Sequence, residues 1–366
     1  MEFLIMRVRA TLAAIACASA LIGAMPAAAA TFTSDQYAAA VAGAQKMQEL
    51  NLIVFGNATS TSEIEGKAWV GGNFALSGNV GVGADANHQG YAANASVATL
   101  TVGGNASGGI HIKNGIGVSS VVANVGGNSS GTYFDGTTGT LNAGGTISGL
   151  NNTGTGNANV SGLKSSIAGQ TQTLLSQLTT LSQILASYTA NTTFNYSDQN
   201  NLNFTTSASS NLLVANIDGT KLASGTLFLP TLSAGQILVV NVSGDNLTMG
   251  ANPAGALNAD NQNVIWNFTG TGNMQFNSWN GSILATGATV KNNSQLNGTV
   301  VSSMFNGNGE VHLGTFAGSI QTLVPAAFSV SAVPEAETWV LMVLGFGAIG
   351  ATLRAQRRRP DPSAAR

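Results

Sequence analysis

Short apolar segments separated by glycine and asparagine recur between residues 52 and 150 and again between 194 and 316. Alternating segments such as Leu100–Val102 and Ile110–Ile112 place their apolar side chains on one face of a strand. Strands this short are unstable alone, but they bury a shared core when they stack in successive coils. The pattern predicts a mainly β protein with a β-helix or solenoid-like domain. A β-sandwich with Gly-rich hairpins is the alternative.

A Gly-Gly-Asn motif follows several of these segments. It occurs at Val70–Asn73, Val102–Asn105 and Val125–Asn128, with a weaker copy at Ala143–Thr146. Gly and Asn tolerate positive φ, so we expect the motif to form the corners of the coils. We also expect the asparagines to form hydrogen-bonded ladders from coil to coil. Because the copies are unequally spaced, the β-sandwich remains the alternative fold.

Two segments have the 3- and 4-residue apolar spacing of helices. The first covers residues 35–50, with Ser34 as its N-cap. The second lies within about 161–190 and places Leu174 and Leu185 on one face. We predict that this second segment is a long amphipathic helix packed on the flank of the solenoid. A coiled-coil seam is the alternative.

Residues 1–30 have the features of a secretory signal peptide. Arg7 and Arg9 precede an apolar stretch, and Ala28–Ala30 provide a small-residue cleavage site. Cys17, the one cysteine of the chain, falls inside this segment. The mature chain therefore lacks disulfides and thiol nucleophiles.

The C-terminal residues 333–366 combine a short motif, an apolar segment and a basic end. Val333, Pro334 and Glu335 precede an apolar stretch over 338–353. The basic end consists of Arg354, Arg357, Arg358 and Arg359. Arginines resist crossing a membrane, so we expect this end to act as a cytoplasmic stop. The apolar stretch is short for a stable span, which predicts a transient inner-membrane anchor.

This order of features resembles the PEP-CTERM sorting tail, although Ala336 replaces the second proline of the usual motif. The resemblance implies recognition by an exosortase-type processing enzyme. It also implies export through the inner membrane and a final location at the cell surface or in the extracellular matrix. An ordinary C-terminal membrane anchor is the alternative.

Residues 31–332 resemble the choice-of-anchor A domain. The resemblance rests on Leu52–Asn57 and Ile64–Asn73 at the start, and on Asn263–Phe268, Gly281–Ala285 and Asn306–His312 near the end. It implies an adhesin-like domain without established catalytic residues.

Charge is sparse between residues 31 and 332, where six lysines, eleven acidic residues and no arginine occur. Nucleic-acid binding needs clustered cations, so we expect no nucleic-acid partner. Asparagine, threonine, serine and glycine take the place of charge, which predicts a neutral, hydrogen-bonding surface.

Few residues are candidates for chemistry. Gly127–Gly131 matches the G-x-S-x-G pattern, but a nucleophile elbow needs a strand before it and a helix after it. Glu310 and His312 share one face of a predicted strand, while Asp245 and Asp260 are the acids that a glycosidase would have to bring together. We predict that the protein is not an enzyme and carries no cofactor or metal.

We therefore expect a secreted, surface-sorted, adhesin-like structural protein of the extracellular matrix or biofilm. Rows of Asn, Thr and Ser would make multivalent contacts with polysaccharide or with copies of the chain. The alternatives are a β-helix enzyme acting on glycans and a carbohydrate-binding module with one aromatic groove, for which Trp266, Trp279 and Tyr91 are candidates. Core packing is the preferred role for Trp266. A weak calcium site near Gly81–Asp85 stays open.

Overall fold

The computed structural model describes residues 31–82, 97–113, 121–151, 153–254 and 261–328. The chain divides into two compact units, Met1–Val324 and Pro325–Arg366. In the second unit the described residues form one 3-10 turn, Pro325–Phe328. The predicted signal peptide and sorting tail lie outside the described residues.

Three α-helices occur in the described ranges: α1 Ser34–Glu49, α2 Leu163–Ala186 and α3 Ile320–Leu323. The long predicted helix is confirmed as α2. The N-cap of α1 is Thr33, so the prediction of Ser34 was wrong by one residue. Thr33 forms a capping box, since its hydroxyl accepts from the Gln36 backbone N–H and its own N–H donates to the Gln36 side chain.

The strands before α2 are short. They are β1 Leu52–Val54, β2 Ala58–Ser60, β3 Ala68–Val70, β4 Phe74–Leu76, β5 Gly78–Val80, β6 Leu100–Val102, β7 Ala106–Ser107, β8 Ile110–Ile112, β9 Val121–Val125, β10 Ser129–Ser130, β11 Thr132–Phe134, β12 Gly139–Ala143, β13 Ile147–Ser148 and β14 Gly154–Asn157.

After α2 some strands are longer. They are β15 Thr192–Asn195, β16 Leu202–Thr206, β17 Leu212–Asp218, β18 Thr226–Phe228, β19 Ile237–Ser243, β20 Thr248–Met249, β21 Asn252–Ala254, β22 Val264–Phe268, β23 Gly272–Phe276, β24 Trp279–Asn280, β25 Ser282–Asn292, β26 Leu296–Asn297, β27 Val300–Gly307 and β28 Val311–His312.

Parallel, in-register pairing builds three long ladders, and a smaller separate sheet contains β15, β16, β18 and β21, with β15 and β16 antiparallel. The helix-covered ladder runs β17–β19–β22–β25–β27–β1–β3–β6–β9–β12–β14. The open ladder runs β20–β23–β25–β27–β2–β4–β7–β10–β13. The third ladder joins β24–β26–β28 to β5–β8–β11 through Ile64, which bridges Val311 and Val80. A β-helix-like fold is thereby confirmed. The β-sandwich is wrong because hairpins pair antiparallel strands, whereas every named strand pair in the described chain except β15–β16 is parallel.

The order of the coils in space differs from their order in sequence. β27 pairs with β1, so the last coil stacks on the first, and both lie in the middle of the ladder. The chain builds coils away from β1 as far as β14, and α2 then returns along the stack. A helix of 24 residues spans about 36 Å, which matches seven or eight strand spacings of about 4.8 Å.

Helix α2 lies against the outer side of the helix-covered ladder. Ser182 donates from Oγ to Asn267 Oδ1 at 2.6 Å, and the Trp69 indole N–H donates to Thr171 Oγ1 at 3.0 Å. Strands under the helix are buried on both faces, which explains the continuous apolar run at the start of β19. The predicted packing of the helix on the flank of the solenoid is confirmed.

The Gly-Gly-Asn motif does form corners, but the predicted reason was wrong for the glycines. The motif glycines Gly71, Gly103, Gly126 and Gly144 are absent from the positive-φ positions of the described chain. Their lack of a side chain matters because the coils approach closely: a Cβ on Gly103 would lie 2.1 Å from the Gly71 carbonyl oxygen.

Aromatic side chains fill the core of the later coils. Trp266 and Trp279 are fully buried, with ring centroids 4.9 Å apart. Phe276 lies against Trp279 at 5.6 Å and Phe268 against Phe276 at 5.4 Å, both edge to face. Such pairs contribute about 0.5–1.5 kcal/mol beyond the area they bury.

Candidate binding surface

Outward side chains of the open ladder form two rows, which we call the open face. The first row contains Asn57, Asn73, Asn105, Asn128 and Thr146, and all five are exposed. The second row contains Thr59, Ala75, Ser107, Ser130 and Ser148, two positions further along each strand. Neighbouring members of a row are separated by the strand spacing of about 4.8 Å.

Each asparagine of the first row is held by the next coil. The Oδ1 atoms of Asn57, Asn73 and Asn105 accept the backbone N–H of the next asparagine at 2.8 Å, and Asn128 accepts that of Thr146 at 2.9 Å. The predicted asparagine ladder is thus confirmed. Because Oδ1 is occupied, the Nδ2 groups are left as the donors, and they make no hydrogen bond with the described part of the chain.

The open face continues through the later coils with less regular chemistry. Met304 and Asn306 lie beside Asn57 and Thr59, and Met304 is 41% exposed. Lys291 is half-buried on the next strand. A shallow depression of about 290 Å3 lies where this part of the face meets its corner.

Charged side chains gather on the third ladder. His312 Nε2 lies 2.6 Å from Glu310 Oε2, and its Nδ1 lies 2.9 Å from Asn297 Oδ1. The expected pair of Glu310 and His312 therefore exists. Both residues belong to the end of a coil, where the His312 carbonyl accepts from the buried Asn51 side chain.

A second charged group lies further along the same ladder. Asp135 accepts from Lys113 at 3.1 Å and contacts His111 Nδ1 at 2.6 Å. Burial alone would raise the pKa of Asp135, but the hydrogen bonds from these two side chains outweigh it and hold the pKa below the usual value. The His111 ring stacks on Tyr133 with centroids 4.9 Å apart.

The G-x-S-x-G match is not a nucleophile elbow. Ser129 begins β10, its hydroxyl is buried against Thr132 Oγ1 at 2.8 Å, and strand β11 follows Gly131 where an elbow requires a helix.

The remaining catalytic candidates do not form a site in the described chain. Asp245 accepts the Thr271 backbone N–H at 2.5 Å, and this hydrogen bond lowers the pKa of its carboxyl. Asp260 lies outside the described residues, as do residues 83–85 of the calcium-like segment. Among the residues that the structure describes, no three His, Cys, Asp or Glu side chains are grouped closely enough to hold a metal ion.

Two of the three aromatic candidates for a sugar groove lie in the described chain, and for both the prediction of a groove role was wrong. Trp266 is a core residue as preferred, and Trp279 is also fully buried, so neither presents a ring to a ligand. Tyr91 lies outside the described residues. Trp69 was missed: it lines a groove of about 780 Å3 beside α2. Its place in the short strand Ala68–Val70 gave no signal that a helix would lie beside it.

The profile of a family described as "Putative Ice-binding-like adhesive domain" matches residues 43–313, more than half of the chain. The chain belongs to this family. The matched range begins inside α1 and ends just after β28, so the ice-binding-like adhesive domain includes all three ladders and α2. The finer resemblance to the choice-of-anchor A family and to a PEP-CTERM tail stays a prediction.

Two solved structures are similar to the chain. One is an ice binding protein from an Antarctic biological consortium, with 12% identity over 78% of this chain and 93% of that one, at a TM-score of 0.27. The other is an ice binding protein from an Antarctic Flavobacteriaceae bacterium, with 12% identity over 72% and 79%, at a TM-score of 0.24. Both TM-scores are low, so the fold assignment rests on the strand pairing. No curated protein matches the sequence.

The sorting residues Val333, Pro334 and Glu335 and the four stop arginines lie outside the described residues, as does the apolar segment 338–353. Within the described ranges, no helix is both long and apolar enough to cross a lipid bilayer.

Proposed function

We propose that this protein is an exported, surface-sorted adhesin that binds neutral polysaccharide, or copies of itself, through the open face without catalysis. The observation that carries the proposal is the pair of exposed Asn/Thr and Thr/Ser rows, repeated at the strand spacing. Membership of an adhesive-domain family supports it.

The chemistry of the rows favours a neutral, polyhydroxylated ligand. Fixed Nδ2 donors of the first row lie beside the hydroxyls of Ser130 and Ser148, which can both donate and accept. The Thr59 hydroxyl donates to Asn306 Oδ1 at 3.1 Å and can still accept. Each contact is weak alone because water competes for it. Many contacts made in parallel along one chain raise the overall affinity, as multivalent binding requires.

The test blocks the open face with bulky side chains at exposed positions. Ala75→Tyr and Ser130→Tyr together should abolish cosedimentation with insoluble amylose or cellulose and reduce self-association in sedimentation velocity. Ser176→Tyr, at an exposed position on α2, is the matched control and should leave both unchanged. Equal binding by the double variant and by the control would show that the open face is not the binding surface.

Two assays, of salt dependence and of reaction products, distinguish neutral adhesion from charge-driven binding and from catalysis. Binding should change little between low and high salt, since Lys291 is the one basic side chain in the two rows and their extension on β25 and β27. Sustained release of reducing ends from the bound polysaccharide would contradict a non-catalytic role.

Ice is the second candidate ligand, favoured by the regular spacing of the first row and by the family description. Met304 and Lys291 interrupt that regularity in the later coils. Ice recrystallisation inhibition that is lost in the Ala75→Tyr, Ser130→Tyr protein would favour ice over polysaccharide.

The proposal also includes sorting by the C-terminal segment. Exosortase-type recognition of Val333–Glu335, followed by processing, would deliver the adhesin to the surface or matrix after transient anchoring in the inner membrane. Deleting residues 333–366 should divert the protein from that location without unfolding the domain. Unchanged localisation of the truncated protein would refute the sorting step.

A further inference from the structure

A groove of about 780 Å3 lies between α2 and the outer side of the helix-covered ladder. Its floor is formed by β3, β6 and β9, its wall by the first half of α2, and one end by Lys46 and Leu50. None of its lining residues belongs to the open face. The volume is in the range of small-ligand sites, which combine apolar walls with a few placed polar groups.

Three floor residues form one row across adjacent strands. Trp69 is paired with Thr101, and Thr101 with Asn124, so neighbours are about 4.8 Å apart. An aromatic ring, a hydroxyl and a carboxamide therefore follow one another over about 10 Å. The indole N–H is held by Thr171 at 3.0 Å, which fixes the orientation of the ring.

Part of the hydrogen-bonding capacity of this row is not used by the described part of the chain. Thr101 is only 5% exposed, yet its hydroxyl makes no hydrogen bond with the described part of the chain. Asn124 accepts from Asn142 through Oδ1 at 2.9 Å, which leaves its Nδ2 as a donor toward the groove. The Thr101 oxygen is not among the buried polar atoms that lack a partner in the described chain, so its hydroxyl is open to the groove, where a ligand can bond with it.

The wall contains a glycine that packing does not require. Gly169 lies inside α2 and lines the groove, and a Cβ placed on it would meet no atom within 4 Å. Glycine weakens a helix interior relative to alanine. Gly43 of α1 is different, because a Cβ there would lie 2.9 Å from the Gln177 carbonyl oxygen of α2. The glycine leaves this part of the wall without a side chain, at a cost in helix stability.

We infer that this groove binds a neutral saccharide of a few units. One sugar ring packs against Trp69, and its hydroxyls bond with Thr101 Oγ1 and Asn124 Nδ2. Two wall residues offer further neutral groups: the Gln170 carboxamide keeps one N–H and its oxygen, and the Thr173 hydroxyl, which donates to the Gly169 carbonyl, can still accept. Among the described residues that line the groove, Lys46 is the one with a charge, and it is paired with Glu49, which disfavours anionic sugars. The site binds single short chains, whereas the open face needs many weak contacts.

Calorimetric titration of the full protein with maltotriose and cellotriose tests the inference, with decanoate as an acyl-chain probe. At least one trisaccharide should bind with one-to-one stoichiometry. Thr101→Val should weaken binding about tenfold or more, as expected for one or two lost hydrogen bonds, and Thr101→Ser should restore most of it.

Variants that fill the groove distinguish binding at this site from binding at the open face. Gly169→Leu should abolish trisaccharide binding, while Ala168→Leu, the same bulk on a neighbouring exposed position, should not. Gly169→Ala should raise the unfolding temperature, because alanine is more favourable than glycine inside a helix. The open-face double variant should retain trisaccharide binding. Absence of binding by the unchanged protein, binding of decanoate alone, or equal binding by the two leucine variants would each overturn the inference.

Discussion

Two glycine-to-alanine changes should have opposite effects on stability, although the chemical change is the same. At Gly103 the new Cβ would lie 2.1 Å from the Gly71 carbonyl oxygen, so the two coils would have to separate by about 1 Å. At Gly169 the new Cβ meets nothing. The first change tests whether the coils stack as closely as the motif requires, and the second whether Gly169 is free of packing.

The magnitude at Gly103 follows from what the separation disrupts. Gly103 N–H donates to Val70 at 2.8 Å, and Gly104 N–H donates to Gly72 at 2.7 Å. Overpacking costs about 1–3 kcal/mol, and each lost hydrogen bond adds about 0.5–1.5 kcal/mol. Gly103→Ala should therefore lower the free energy of unfolding by about 2–6 kcal/mol.

Gly169→Ala should raise the free energy of unfolding by about 0.5–1 kcal/mol, the usual gain for alanine over glycine inside a helix. Urea unfolding followed by far-UV circular dichroism measures both variants, with a shared slope showing that the same structure unfolds. A loss below about 1 kcal/mol at Gly103 would refute the close-stacking explanation of the motif. A loss of stability at Gly169 would show that the glycine is required by the fold.

Three further outcomes follow from single contacts. Trp266→Ala should cost about 3–5 kcal/mol in the urea assay, because the whole indole is buried in the aromatic core. The carboxyls of Asp135 and Asp245 have lowered pKa values in the folded protein. Their contribution to the free energy of unfolding should therefore be complete above about pH 4 and be lost as the pH falls further. Changing both residues to Asn should make the free energy of unfolding depend less on pH in this acidic range. Ser129→Ala should leave polysaccharide binding unchanged and lower the free energy of unfolding by about 1 kcal/mol. If the unchanged protein cleaved a glycan and Ser129→Ala abolished that activity, the structural role of Ser129 would be contradicted.

Local patterns in the sequence carry enough physics to predict elements. The strands Leu100–Val102 and Ile110–Ile112 are predicted with their observed bounds, and α2 falls inside the predicted range. The position of the corner motif is predicted correctly. A repeated glycine in the sequence does not reveal, however, whether it is needed for a positive φ or for the close approach of two coils. Positive φ does occur at Asn246, another corner of the open ladder. The distinction depends on the distance between coils, which no single coil encodes.

The order of the coils was not predictable in the same way. β1 pairs with β27 across almost 250 residues, and both strands have the same short apolar pattern as many others. Nothing in that pattern selects one neighbour over another. The groove depends on this order as well, since α2 lies beside Trp69 only because the chain returns along the stack. Trp69 therefore looked like any other strand residue.

Strand β25 shows how the helix divides the surface between packing and binding. In its first half the outward residue Leu284 is fully buried beneath the helices, in the same row as Val301 and Ile53. Past the bend between Ala285 and Thr289, the strand enters the open ladder, and its outward residues become Thr289 and Lys291. The strand therefore changes its outward chemistry where the helical cover ends. Solvation alone does not require asparagine at the same place in four successive coils. The regular first row has a structural task through Oδ1, and its Nδ2 groups make no hydrogen bond with the described part of the chain. A surface built this way offers repeated neutral donors on a rigid scaffold, which is what weak multivalent adhesion needs.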